Sequence, residues 1–347
     1  MILKHITYGD MGLIKGIVLS DSGQEYVTSL DCDSGDTWCT CPQFVFQKAI
    51  CKHILFFMDK VEIEEMKTSK KFRNVLTGCT TVDSLLGGGI PLGTITSIFA
   101  EPGTGKTLLS AQIALSTIKE TGKEIIVVET EGNREQDYLQ LLFKFKDRWG
   151  LTEEEITSKI NFQTVLGDYD NQAIVTLLKM VGYQATMERS KKGDKYTVRF
   201  DNCKPILTDK ELKSSSIIII DSLTKPIKAS IGHKTQNLPA RADMIARFFD
   251  RLVQMSTKYE IGVVINHHAS VNKAQLFGRD FGRIYGGDEV YYNSKYVLLL
   301  LDSDMSARTK YGKGARRVSL IKHPFNPVTG DLYPIHLKSD YGFTDEE

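Results

Sequence analysis

The stretch Ala100-Glu101-Pro102-Gly103-Thr104-Gly105-Lys106-Thr107 restricts the folds open to this chain more than any other. It follows an apolar run, Thr94 to Phe99, and leads into an amphipathic stretch from Thr107 to Thr121, so it joins a buried strand to a helix. Successive backbone N–H groups at such a helix start attract phosphate oxygens, and Gly103 and Gly105 supply the dihedral freedom that a tight wrap demands. Lys106 can then reach β and γ phosphates, while the Thr107 hydroxyl can ligate magnesium. Ala100 stands where the general pattern has glycine.

Further apolar strands are read at Glu124 to Val128, Ser216 to Ile220, Gly262 to Ile265 and Tyr296 to Leu301, with helical stretches such as Ala240 to Tyr259 between them. Near-continuous Ile, Val and Leu strands alternating with helices predict an α/β domain around a mostly parallel, buried sheet. This domain is expected over residues 75–347. A charged connector over 61–74 precedes it, and before that a small module over 1–60. The module reads as ββα, with strands at Gly16 to Ser20 and Gln24 to Leu30 and an apolar helical run at Ile54 to Met58. Residues 183–213 fit the alternation poorly and read as an insertion, with a basic hairpin from Ala185 to Phe200.

The formal charge of the 347 residues is only +1, so any affinity for nucleic acid must come from local clusters of Lys and Arg. No apolar run reaches the roughly 18 residues of a membrane span, and no signal segment opens the chain, so a cytoplasmic location and no membrane partner are expected.

Asp221 ends the run Ile217 to Ile220, which puts a carboxylate at the C-terminal edge of a buried strand, where magnesium and an attacking water meet a phosphate loop. Glu129 and Glu131 follow the strand after the loop's helix, and a carboxylate there can orient water. Separately, Cys39-Thr40-Cys41 and Cys51-Lys52-His53 offer four ligands suited to tetrahedral zinc, nine residues apart. Four protein ligands leave no open position, so the expected role is structural. Cys32, Cys79 and Cys203 are scattered and read as free thiols.

The run Leu76-Thr77-Gly78-Cys79-Thr80-Thr81-Val82-Asp83-Ser84-Leu85-Leu86-Gly87-Gly88-Gly89-Ile90-Pro91 and the phosphate loop resemble the archaeal RadA and RadB recombinases. The likeness continues through Glu131-Gly132, Asp221-Ser222-Leu223-Thr224, Leu238-Pro239-Ala240-Arg241, Val263-Val264-Ile265-Asn266-His267-His268 and Gly286-Gly287. It implies a RecA-like ATPase that binds ATP and magnesium. Residues 100–107 would cradle the phosphates, Glu131 would activate water, and Asp221 would hold magnesium through water. Arg134 resembles the arginine that packs on the adenine, and His268 stands where the family has a glutamine sensing the γ phosphate. Lys322, in Ile321-Lys322-His323-Pro324, would reach a neighbouring subunit's nucleotide if the protein assembles.

Trp38-Cys39-Thr40-Cys41-Pro42 to Cys51-Lys52-His53-Ile54 resembles a SWIM zinc finger, which implies DNA or protein binding. Two basic stretches match in order the DNA-binding loops of the RecA family. Lys225, Lys228, His233 and Lys234 lie in the first, and Lys273, Arg279 and Arg283 in the second. The hairpin cations Arg189, Lys191, Lys192, Lys195 and Arg199 are further candidates. The resulting expectation is an ATP-dependent protein of recombination or repair. Its implied partners are single- or double-stranded DNA, a recombinase or other repair protein, and further copies of itself. The rival expectation is a nucleotide-switched adaptor that recruits a protein partner through the zinc module.

Overall fold

A computed structural model describes residues 1–8, 13–31, 37–47, 51–57, 74–165, 172–190, 196–229, 237–276, 279–284, 288–303, 309, 312, 314–325 and 328–345. The chain divides into two compact units, Met1–Phe72 and Arg73–Glu347. Among the described residues no helix is long and apolar enough to cross a membrane.

The first unit is an antiparallel sheet in the order β1 (Ile2–Tyr8), β2 (Leu13–Leu19), β3 (Glu25–Asp31), β4 (Thr37–Cys39), followed by α1 (Pro42–Gln47) and a short helix α2 over 52–57. It has two more strands than the pattern marks, β1 and β4, of which β4 is only three residues long and too short for alternation to register. Alternation turns Ile14, Gly16 and Val18 of β2 inward. Gly16 is required there, since a Cβ would lie 2.3 Å from the ring of Phe57.

The second unit opens with β5 (Asn74–Val75), α3 (Thr80–Leu85) and β6 (Ile90–Pro91), then β7 (Ile95–Ala100) and α4 (Lys106–Thr121). There follow β8 (Glu124–Glu129), α5 (Glu135–Phe145), α6 (Glu153–Lys159), β9 (Ile160–Thr164), α7 (Gln172–Met180), β10 (Tyr183–Arg189), β11 (Tyr196–Asn202), α8 (Asp209–Ser214) and β12 (Ser215–Asp221). The chain continues through α9 (Thr224–Ala229), α10 (Leu238–Tyr259), β13 (Gly262–Leu276), β14 (Arg279–Ile284) and α11 (Asp288–Asn293), and closes with β15 (Tyr296–Asp302), β16 (Ala315–Lys322), β17 (Tyr333–Lys338) and β18 (Gly342–Thr344).

The main sheet runs β18-β17-β16-β15-β7-β13-β12-β8-β9, with β15 through β9 parallel and the three strands at the β18 edge antiparallel. Strand β12 is buried along its whole length, as its unbroken isoleucine run requires of a central strand covered on both faces. One face packs on α4 through Leu109, Ile113 and Leu115, and the other on α10 through Met244, Phe248 and Leu252. Helix α4 is flanked by Gly105 and Gly122, both left-handed (φ 111° and 65°), so glycines set both of its limits.

One stretch differs from expectation. Strand β13 runs eleven residues past Ile265 and pairs antiparallel with β14, so the second basic stretch is a hairpin where the glycines and asparagine suggested a loop. Between α7 and β12, β10 and β11 form a two-stranded sheet of their own. Arg247 and Arg251 of α10 stack over Phe200 and Tyr183 and fasten it, at 4.4 and 4.8 Å from the ring centres.

Candidate functional site

Parallel register brings the C-terminal ends of four neighbouring strands together. Ala100 lies opposite His268, and Asp221 opposite Glu129. The phosphate-loop side chains, Asp221, Glu131 and His268 therefore converge above one edge of the sheet, where open α/β sheets bind ligands.

Within the loop, Lys106 is buried and its Nζ donates to the carbonyls of Ala100 and Glu101, both at 3.1 Å. Burial lowers its pKa. Thr104 Oγ1 donates to Glu101 O at 2.7 Å, and Gly103 and Gly105 both have positive φ. Asp221 is almost wholly buried, which pushes its carboxyl pKa up, while hydrogen bonds from Thr107 and Asn266 oppose that rise. Asn266 is in turn bonded to Ser110 of α4 at 2.9 Å.

The two glutamates divide into different tasks. Glu129 is buried and accepts from the backbone N–H groups of Glu131 and Gly132 and from Asn133 Nδ2, at 2.7, 2.9 and 2.9 Å, so it shapes the turn. Glu131 Oε1 accepts from Ser222 Oγ at 2.6 Å and from His268 Nε2 at 2.7 Å. The His268 bond, with help from Ser222 and against burial, brings the Glu131 carboxyl down to about 2. The His268 backbone N–H donates to Thr224 Oγ1 at 2.8 Å.

Other expected residues fall elsewhere. Arg134 caps α5, exposed and paired with Asp137 at 3.0 Å. Lys322 donates to the carbonyls of Tyr291 and Tyr292. Lys225 Nζ donates to Glu131 O at 2.7 Å, and Arg199 faces Glu188 at 3.7 Å. Lys228 falls on α9, Lys273 on β13, Arg279 and Arg283 on β14, and Arg189 on β10, with side chains outside the described residues. His233, Lys234, Lys191, Lys192 and Lys195 lie outside the described residues altogether, as does Cys32.

In the first unit the ligand atoms of Cys39, Cys41, Cys51 and His53 lie within 4.8 Å of one another, all four residues buried. Neither ring nitrogen of His53 has a hydrogen-bond partner. Three thiols and an imidazole so arranged are a donor set for zinc.

Sequence reading missed three contributors. Ser222 lies in a matched motif but carried no assigned role. His267 is fully buried and bonded through Ser97 to Ser294. Arg316 touches the phosphate loop from 212 residues away, beyond the reach of any local pattern.

A family profile described as KaiC ATPase matches residues 75–225, and the SWIM zinc finger profile matches residues 21–56. RadA of Metallosphaera sedula is 24% identical over 241 residues, 68% of this chain and 64% of that protein. RadB of Methanococcoides burtonii is 23% identical over 264 residues, 76% of this chain and 93% of that protein. RadA of Aeropyrum pernix is 25% identical over 223 residues, 63% and 59% of the two chains. The match thus spans less than two thirds of either RadA. A crystal structure of the RadB recombinase superposes with a TM-score of 0.54 at 20% identity, covering 79% of this chain and all of that one. The second unit is a RecA-like P-loop ATPase domain, and the first is a SWIM zinc finger. Within that class the chain is similar to the RadA and RadB proteins.

Proposed function

We propose that this chain hydrolyses ATP with magnesium and uses that cycle to bind single-stranded DNA in recombination or repair, its N-terminal module holding a structural zinc. The observation that carries the reading is the meeting of Lys106, Thr107, Asp221 and Glu131 at the ends of adjacent parallel strands. Lys106 and the loop N–H groups bind and orient the phosphates, and the carbonyls that Lys106 now grips are partners that phosphate oxygens replace. Thr107 and Asp221 would hold magnesium, which when bound supplies the charge that neutralises the phosphoryl group. Glu131, ionised and held by Ser222 and His268, orients the attacking water. Cys39, Cys41, Cys51 and His53 would hold zinc, which ties β4 to α2.

DNA affinity is assigned to six cations of the two basic stretches, Lys228, His233, Lys234, Lys273, Arg279 and Arg283. With a net charge near zero, binding should depend on those few contacts and weaken with salt at a log-log slope of about −0.7 per phosphate neutralised. Alanine at Lys228, Lys273, Arg279 and Arg283 is expected to weaken single-strand binding and flatten that slope. ATP turnover measured with and without single-stranded DNA is expected to rise with DNA. The likeness of residues 75–225 to the KaiC ATPases supports a second reading, a nucleotide-switched adaptor. Unchanged turnover together with wild-type DNA binding by the quadruple variant would favour it.

A further inference from the structure

Arg316 sits on β16 opposite Asp302 of β15, and β15 runs parallel beside β7, the strand that feeds the phosphate loop. Its side chain is only 13% exposed. Nε donates to the carbonyl oxygen of Thr104 at 3.3 Å, while Nη1 faces Asp302 Oδ1 at 3.3 Å and donates to Ala315 O at 2.8 Å. A guanidinium held by a carboxylate thus rests on the backbone of the loop itself.

We propose that Arg316 is a positioning residue of the nucleotide site, gripping the Thr104–Gly105 peptide so that the Gly105 N–H is preset to receive a phosphate oxygen. The proposal rests on the reading of residues 100–107 as the nucleotide loop. In a planar trans peptide the carbonyl and the N–H point in opposite directions, so fixing the Thr104 oxygen fixes the Gly105 N–H on the far side from the guanidinium. That N–H belongs to the N-cap of α4, where helix donors lack intrahelical partners. Gly105 has φ 111°, a conformation that glycine alone adopts easily, and without an outside hold this peptide has more freedom to turn over than any neighbour in the helix. A cation on the carbonyl also polarises the peptide and strengthens its N–H as a donor to an anion.

The remaining contacts agree. Thr104 is tied to Glu101 from within the loop, and a Cβ at Gly105 would lie 2.8 Å from Phe343, so the loop is braced on several sides and Arg316 supplies the charged brace. Arginine suits the task because its fork lets Nε serve the loop while Nη1 stays on Asp302, which a lysine cannot do at once.

The test compares the full-length wild type with Arg316→Ala, Arg316→Lys, Asp302→Asn and Lys106→Ala. Titration with fluorescent ADP and magnesium is run well below the melting temperature, alongside thermal melts and steady-state ATP turnover. Losing a charge-assisted hydrogen bond should weaken nucleotide binding about ten-fold in Arg316→Ala, with smaller losses in Arg316→Lys and Asp302→Asn. Because the brace serves bound nucleotide and transition state alike, KM should rise while kcat changes little. A purely structural role would lower the melting temperature and leave affinity and KM untouched, and that result overturns the proposal. If Arg316→Ala does not fold, Arg316→Lys with a wild-type melt decides by the same readings. Loss of binding in Lys106→Ala with wild-type affinity in the Arg316 variants refutes the role of Arg316 alone. Wild-type binding by Lys106→Ala refutes the nucleotide loop and the proposal with it.

Discussion

Replacing Gln112 with leucine removes a fully buried amide while keeping side-chain volume nearly constant, so its cost isolates hydrogen bonding from packing. Gln112 lies on α4, the helix that starts at the phosphate loop, and it fastens two distant segments to that helix. Nε2 donates to Thr77 O at 2.8 Å and to Phe343 O at 3.0 Å, and Oε1 accepts from Phe343 N–H at 2.6 Å. In the variant Phe343 O keeps its bond from Arg148 Nη1 at 2.8 Å, but Thr77 O and Phe343 N–H lose these partners. Leaving two buried backbone groups unpaired at about 1 to 3 kcal/mol each gives a destabilisation of about 3 kcal/mol once partial relaxation is allowed. For a domain of this size that lowers the melting temperature by roughly 6 °C. Thermal unfolding followed by circular dichroism at neutral pH measures it. A melting temperature within a degree of wild type would show that Gln112 is not the clamp its bonds describe.

Cys51→Ser is expected to abolish the one zinc per chain that metal analysis should find in the wild type, and to unfold the first unit while nucleotide binding persists; wild-type protein without zinc refutes the ligand set. Lys106→Ala should lose nucleotide binding, whereas Glu131→Gln should bind ATP normally and turn it over at least about a hundred-fold more slowly, as loss of the water-orienting group implies. Equal turnover in Glu131→Gln and wild type would remove that role. Asp345 supplies a pH dependence. Burial pushes its carboxyl up, but hydrogen bonds from Thr81 and Thr80 win and bring it down to about 2. A folded-state pKa below the unfolded value of about 3.9 adds stability that is complete above that value and lost as pH falls through the folded one. The advantage of wild type over Asp345→Asn in chemical denaturation should therefore be constant near neutrality and shrink between about pH 4 and pH 2. A constant difference down to pH 2 would contradict it.

Much of this protein is written locally. A glycine loop between an apolar strand and an amphipathic helix, an aspartate closing an isoleucine run, and two Cys/His pairs at fixed spacing each depend on neighbours a few residues away. Chain periodicity and backbone freedom therefore declare them directly, and with them the α/β class. The division of labour between Glu129 and Glu131 is not so declared. Both stand at one strand end, and only the turn, by aiming backbone N–H groups at one carboxylate and Ser222 and His268 at the other, separates a structural acid from a candidate catalytic one. The hairpin of β13 and β14 was hidden because glycine and asparagine mark loops by propensity, whereas pairing across a strand is settled by the partner that folding brings alongside. Arg316 is the extreme case. It reaches the phosphate loop because β7 takes β15 as a neighbour and β15 takes β16, and strand order in a sheet is a property of the closed fold that no spacing along the chain encodes.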